Sequence, residues 1–170
     1  MAPAAVFKAY TATAVAPVAV APTTAAHFCI YNTQPIGGGG KSLYIQTLEA
    51  VTVASAGAAQ IIQLLAHFSA APIKGLPSAT VAKGPAWISG GFYPSVAQVG
   101  SAVAIVNDSV WHPVSESATI GATTTTIANG TWSNVNGIYV VPPGGLLSLA
   151  VLCSAAGTAT CSIGVTWFEA

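Results

Sequence analysis

The sequence predicts an all-β chain: an antiparallel β-sandwich or jelly roll with an extended N-terminal arm. Three observations carry that expectation. Thr, Ser, Val, Gly and Ala dominate the 170 residues, and helical periodicity is scarce. Short runs of alternating apolar and small residues recur between Gly- and Pro-containing turns. Only 5% of residues are charged, so a free chain of this kind lacks the charge that normally keeps sheet edges apart.

Residues 1–26 read as the arm. Pro3, Pro17 and Pro22 keep it extended, with room for one edge strand. Its alanine content resembles a signal peptide, but it lacks a positive start and the prolines interrupt its apolar stretch, so an uncleaved arm is expected. Residues 27–170 read as one sandwich domain, long enough to enclose a core.

Within that domain "HFCIY" is a first short strand, followed by a glycine-rich turn. "SLYIQTLEAVTVA" and "AQIIQLLAHFS" are strands expected to form a hairpin through Ser55-Ala56-Gly57. A helix is the competing reading for the second, since alanine and leucine favour one. Residues 70–100 hold Pro72, Pro77, Pro85 and Pro94 and read as a long irregular loop of the kind that carries contacts. Further strands are "SAVAIV", "SATIGATTTTIA", "GIYVVPPG", "LLSLAVLCSA" and "TATCSIGVTWFE". The last two are expected to form a hairpin turning near Ala156-Gly157. Leu147, Leu149, Val151 and Cys153 share one face, and Cys161, Ile163, Val165 and Trp167 share one face of the partner. The opposite faces carry Ser148, Ala150, Ser162 and Thr166, all small and uncharged.

"PIGGGGKSLYI" ends like a phosphate-binding loop, because Gly40-Lys41-Ser42 matches the tail of that signature. The glycine required five residues earlier is Pro35, and the run after Ser42 reads as a strand rather than a helix. The stretch is therefore expected to be a turn that opens a strand.

Composition excludes other classes. Four scattered lysines (Lys8, Lys41, Lys74, Lys83) and a net charge of zero make no basic stripe for nucleic acid or anionic lipid. No apolar run reaches the ~20 residues of a spanning helix. Three cysteines, Cys29, Cys153 and Cys161, fit no zinc pattern. The spacing of Cys153 and Cys161 leaves a bridge open but favours two buried thiols.

Catalysis needs titratable groups brought together. Those present are Asp108, Glu49, Glu116, Glu169, His27, His67 and His112. Asp108, Ser109 and His112 fall within one short loop, where triad geometry is rare, and Trp111 reads there as an anchor for the chain. His67 lies in an apolar strand and reads as a hydrogen-bonded core histidine. No cofactor, metal or enzymatic activity is expected. Trp87, Trp111, Trp132 and Trp167 are able to stack sugars, although core packing or subunit contact is the commoner use.

Two stretches resemble small tailed-bacteriophage virion structural proteins. "IYNTQPIGGGGKSLYIQTLEAV" resembles their opening, through Asn32, the glycine run, Lys41 and Leu43 to Ile45. It departs by inserting Thr33-Gln34 before Pro35 and by running glycine where serine is usual. "YVVPPGGLLSLAVLCSAAGTATCSIGVTWFE" resembles their closing hairpin, in which a Pro-Pro-Gly turn leads to paired strands ending in Trp-x-Glu, through Pro142, Pro143, Gly144, Trp167 and Glu169. The resemblance implies a capsid decoration (cement) subunit on the virion exterior, assembled in the host cytoplasm. It would bind the major capsid protein and its own copies as a homotrimer, with no nucleic-acid or membrane partner. Phe7, Tyr10, Trp87, Phe92, Tyr93 and Trp111 are the candidate subunit or shell contacts. The alternative is a head or tail fibre domain that binds host-surface glycans.

Overall fold

The computed structural model describes residues 6–11, 14–23, 25–55, 60–69, 81–85, 95–104, 110–120, 130–154 and 159–170. They form eleven strands and no helix: β1 (Val6–Thr11), β2 (Ala25–Asn32), β3 (Leu43–Ser55), β4 (Gln60–Ser69), β5 (Val81–Pro85), β6 (Ala97–Ala104), β7 (His112–Pro113), β8 (Ala118–Ile120), β9 (Gly130–Val141), β10 (Leu146–Cys153) and β11 (Ala159–Glu169).

The strands make two antiparallel sheets. The first runs β5-β1-β11-β3-β9, and the second runs β6-β2-β10-β4-β7, with β8 also on β4. One plan explains the order. β1 pairs with β11, β2 with β10, β3 with β9, and β4 with β7 and β8. This is a long antiparallel ribbon whose two arms fold over together. The pairs β11–β3 and β10–β4 then close each sheet, which is the jelly-roll arrangement. β5 and β6 extend the two sheets beyond β1 and β2. Pro85 closes β5 at a sheet edge, where a missing backbone donor is tolerated.

Both expected hairpins are corrected by this topology. β3 and β4 lie in opposite sheets, and so do β10 and β11. Neither pair shares a ladder: β3 lies between β11 and β9, and β10 between β2 and β4. The face assignments nevertheless hold. Leu147, Leu149 and Val151 from one sheet and Cys161, Ile163, Val165 and Trp167 from the other are completely buried in one core. Phe7 joins them, its ring stacked on Trp167 at 5.7 Å between centroids.

The segment expected to be irregular, 70–100, contains β5 and the start of β6. The strand in the arm, β1, is internal, because β5 covers its outer side. Residues 14–23 link the two sheets through isolated bridges at Val15 and Val18, and the chain bends at Ala19, Val20 and Thr23. Val15 exchanges backbone hydrogen bonds with Cys161 of β11, 2.8 Å each way. Val18 then takes the Val151 carbonyl at 3.0 Å and accepts from the Cys153 amide at 2.9 Å on β10. Residues 60–69 form a strand, which removes the helical alternative.

A second small cluster lies on the outer side of the second sheet. Ala26, Cys29 and Leu146 pack beneath Tyr31 and Trp111. Ser148 and Ala150, also on that side of β10, are fully buried.

Candidate functional site

The two stretches that the resemblance singled out meet at one corner. Asn32, at the end of β2, is fully buried. Its Nδ2 donates to the carbonyl oxygens of Lys41 at 2.8 Å and Val141 at 3.1 Å. Its Oδ1 accepts the Gln34 amide at 3.1 Å. Its backbone bonds both ways to the Pro-Pro-Gly turn, taking the Gly145 carbonyl and accepting from the Gly144 amide, 3.0 Å each. Gly144 adopts φ +74°, where a Cβ would also strike Ile36. The glycine run turns through Gly37 and Gly39 at positive φ and leads into β3, not into a helix. No helix end stands there to hold a phosphate.

The closing Trp-x-Glu pattern is structural as well. Glu169 is buried, and its Oε1 accepts from Ser95 Oγ at 2.7 Å, the Val96 amide at 3.0 Å and Trp167 Nε1 at 3.4 Å. The carboxylate thus pins the entrance of β6 to the end of β11.

The outer face of the first sheet offers a different surface. Strand register lines up Val6, Phe168, Tyr44 and Val140 as one apolar row across four strands. Tyr44 and Phe168 stack at 4.9 Å between centroids. A second row runs Tyr10, Gly164, Glu49, Trp132. Glu49 crosses Gly164 to meet Lys8 Nζ at 2.6 Å, the one ion pair among the described residues. Both partners are partly exposed, so this pair contributes at most about 1 kcal/mol. Around it Tyr10, Val53, Trp132, Ile138 and Val140 are exposed.

β9 shapes one border of that face. Between the pairs Ile45–Tyr139 and Thr47–Asn134, β3 passes one residue while β9 passes four, Val135 to Ile138. The extra chain turns out and back at Asn136-Gly137, both at positive φ, as the Asn-Gly pair favours. Ile138 stands on this excursion at 80% exposure.

Beside the β9 edge lies a groove of about 660 Å3, between residues 113–118 and β9. Ser115, Glu116 and Ser117 line one wall, and Trp132, Asn134 and Tyr139 line the other. Hydrogen bonds fix the walls. Thr131 Oγ1 donates to the Glu116 carbonyl at 2.6 Å, and the Leu64 amide donates to Ser115 Oγ at 3.0 Å.

The candidate contact residues are scattered by the fold. Phe7 is a core residue, 4% exposed, which corrects its expected role as an outward contact: alternation along β1 turns it inward. Tyr10, on the other face of β1, is 46% exposed. Trp111 is half-buried and ties down the arm, its Nε1 donating to the Pro22 carbonyl at 2.8 Å. Its ring also meets that of His67 at 5.5 Å between centroids. Trp87, Phe92 and Tyr93 lie outside the described residues, as do Asp108 and Ser109. His112 is exposed on β7. Sequence reasoning left Trp132 out of the contact set. The signal that finds it is the alternation in "TWSNV": with Val135 turned inward, Trp132 and Asn134 must turn out.

Several buried titratable groups have partners within the fold. All three cysteines are free and buried. Burial pushes the Cys29 thiol up to about 12 and Cys161 up to about 11. Cys29 lies 3.3 Å from Ser148 Oγ, and Cys153 donates to Gln60 Oε1. His27 Nδ1 accepts the Val151 amide at 3.1 Å, and burial holds its pKa below the ordinary 6.5. Among the described residues no group of three or more His, Cys, Asp or Glu is placed to hold a metal, and no helix is long and apolar enough to cross a membrane. No known protein family, curated protein or solved structure matches this chain.

Proposed function

We propose that this chain is a structural virion subunit of the capsid-decoration type. It would bind the outside of a capsid shell and its own copies, as a trimer, and stabilise the particle without catalysis. The single observation that carries the reading is the outer face of the first sheet. Apolar side chains cross it from Val6 to Val140, and Lys8 and Glu49 neutralise each other within it. A face with exposed Tyr10, Val53, Ile138 and Val140 gains by being covered, at roughly 25 cal/mol per Å2 of apolar area before association costs. Repetition over a particle would then convert modest contacts into firm attachment.

Two further features support the reading. The stretches that resemble virion proteins build one hydrogen-bonded corner around Asn32 and one around Glu169, which is scaffold rather than reaction chemistry. The jelly roll is a frequent architecture of capsid proteins, although the fold alone assigns no function.

The test is co-sedimentation of the purified chain with phage shells that lack it. Binding is expected, and it should weaken in Tyr10→Glu and Val53→Glu, which place charge on the covered face. A chain that stays in the supernatant, or binds equally well with both substitutions, overturns the reading.

A further inference from the structure

We infer that the groove beside β9 is a binding site for a neutral saccharide, with Trp132 as its stacking platform. The inference does not depend on the proposed decoration role. It rests on the side chains that the groove brings together. Trp132 is 73% exposed, although a large aromatic ring normally finds cover in a core or contact. An uncovered indole presents a flat apolar face with a negative quadrupole, and the C–H face of a pyranose ring matches both properties.

The surroundings supply the other half of sugar recognition. Ser117, Ser133 and Asn134 bring hydroxyl and amide groups, which both donate and accept. The exposed Glu116 adds a carboxylate acceptor for sugar hydroxyls. A volume of about 660 Å3 falls within the range of small-molecule sites. The chain segment of Glu116 is held in place before any ligand arrives, since Thr131 and Ser115 both donate to its carbonyl, at 2.6 and 3.0 Å. That backbone need not be ordered when a ligand binds.

Charge narrows the ligand class. The groove is lined by one carboxylate and, among the described residues, by no lysine or histidine. Sialylated, sulfated or phosphorylated sugars would meet an unpaired negative charge there, so neutral hexose or N-acetylhexosamine units are the ligands that fit.

The experiment uses the full chain in its native assembly state, titrated with chitotriose, maltotriose, lactose and 3′-sialyllactose. Intrinsic fluorescence and saturation-transfer NMR report binding. Saturable binding of at least one neutral oligosaccharide is expected, with 3′-sialyllactose weaker than lactose. Trp132→Ala should weaken the bound sugar about tenfold or more, Trp132→Phe should retain part of the affinity, and Glu116→Gln should weaken it several-fold. Gln98→Ala, exposed on β6 at the other edge of the second sheet and outside the groove, should change nothing. Both Trp132 variants are at an exposed position, and near-ultraviolet circular dichroism verifies their fold. No saturable binding of any neutral sugar, or unchanged binding in Trp132→Ala, overturns the inference. So does an indole shielded from acrylamide in the wild-type protein but not in a dissociated form, because the groove would then be an interface between copies. Shell co-sedimentation of the same samples bears on the decoration reading alone, so the two can fail separately.

Discussion

Asn32 and Val141, 109 residues apart in the chain, are joined by a buried hydrogen bond from Nδ2 to the carbonyl oxygen at 3.1 Å. With the Lys41 and Gln34 bonds it makes Asn32 the hub where the glycine turn, the end of β9 and the Pro-Pro-Gly turn converge. Replacing it with leucine leaves two carbonyls and one amide without their partner in a closed corner. We expect Asn32→Leu to cost about 2–4 kcal/mol, and Asn32→Asp to be damaging too, since a carboxylate cannot donate. Denaturant midpoints at fixed protein concentration measure this. A loss within about 0.5 kcal/mol, the ordinary range for surface sites, would remove Asn32 from its structural role.

Gly164 makes room for Glu49. A Cβ at Gly164 would fall 2.5 Å from Glu49 Oε1 and 2.8 Å from its Cγ. Gly164→Ala should therefore destabilise the protein while Glu49 is present. In a Glu49→Ala background the same change should become neutral or stabilising by up to about 1 kcal/mol, because alanine restricts the unfolded chain. A double-mutant cycle reads this coupling. Equal costs in the two backgrounds would mean that Glu49 does not cross over Gly164.

His27 ties stability to pH. Burial lowers its pKa, so the folded state holds fewer protons than the unfolded chain once pH falls below the ordinary 6.5. Its contribution is intact above that value and is lost as pH drops toward the lowered folded value. Protonation would also take away the Nδ1 lone pair that accepts the Val151 amide. Between about pH 8 and about pH 5 the wild type should therefore lose more stability than His27→Gln. Parallel pH profiles for the two proteins would refute the assignment.

The thiols should be silent in the native protein. Cys29 and Cys161 are buried and have pKa values raised to about 12 and about 11, so thiolate is scarce at neutral pH. Cys153 is 5% exposed. Ellman's reagent is expected to label none of the three until denaturant is added, and then all three. Rapid native labelling of Cys153 or Cys161 would show that the space between the sheets opens readily.

Much of this architecture is legible in the residues themselves. Alternation along "LLSLAVLC" and "TCSIGVTW" marks which side chains turn inward, because successive residues of a strand point to opposite faces. Pro35 in place of a glycine, and the β-branched run after Ser42, mark a turn that opens a strand. Alternation also turns Trp132 to the face opposite Val135, although only its 73% exposure marks it as a platform.

Strand partners, by contrast, are set at long range. A hairpin and an arch between sheets require the same inward pattern and the same short turn, so local sequence does not separate them. The difference is the company each strand keeps: β10 sits between β2 and β4, and β11 between β1 and β3, all distant in the chain. The same holds for Ser148 and Ala150, whose small side chains suit an outer face but are fully buried on it. Residue order specifies an all-β chain, its inward faces and its scarcity of charge. Closure of those faces as a jelly roll comes from packing, because burying both sheets against each other requires strands far apart in sequence to become neighbours.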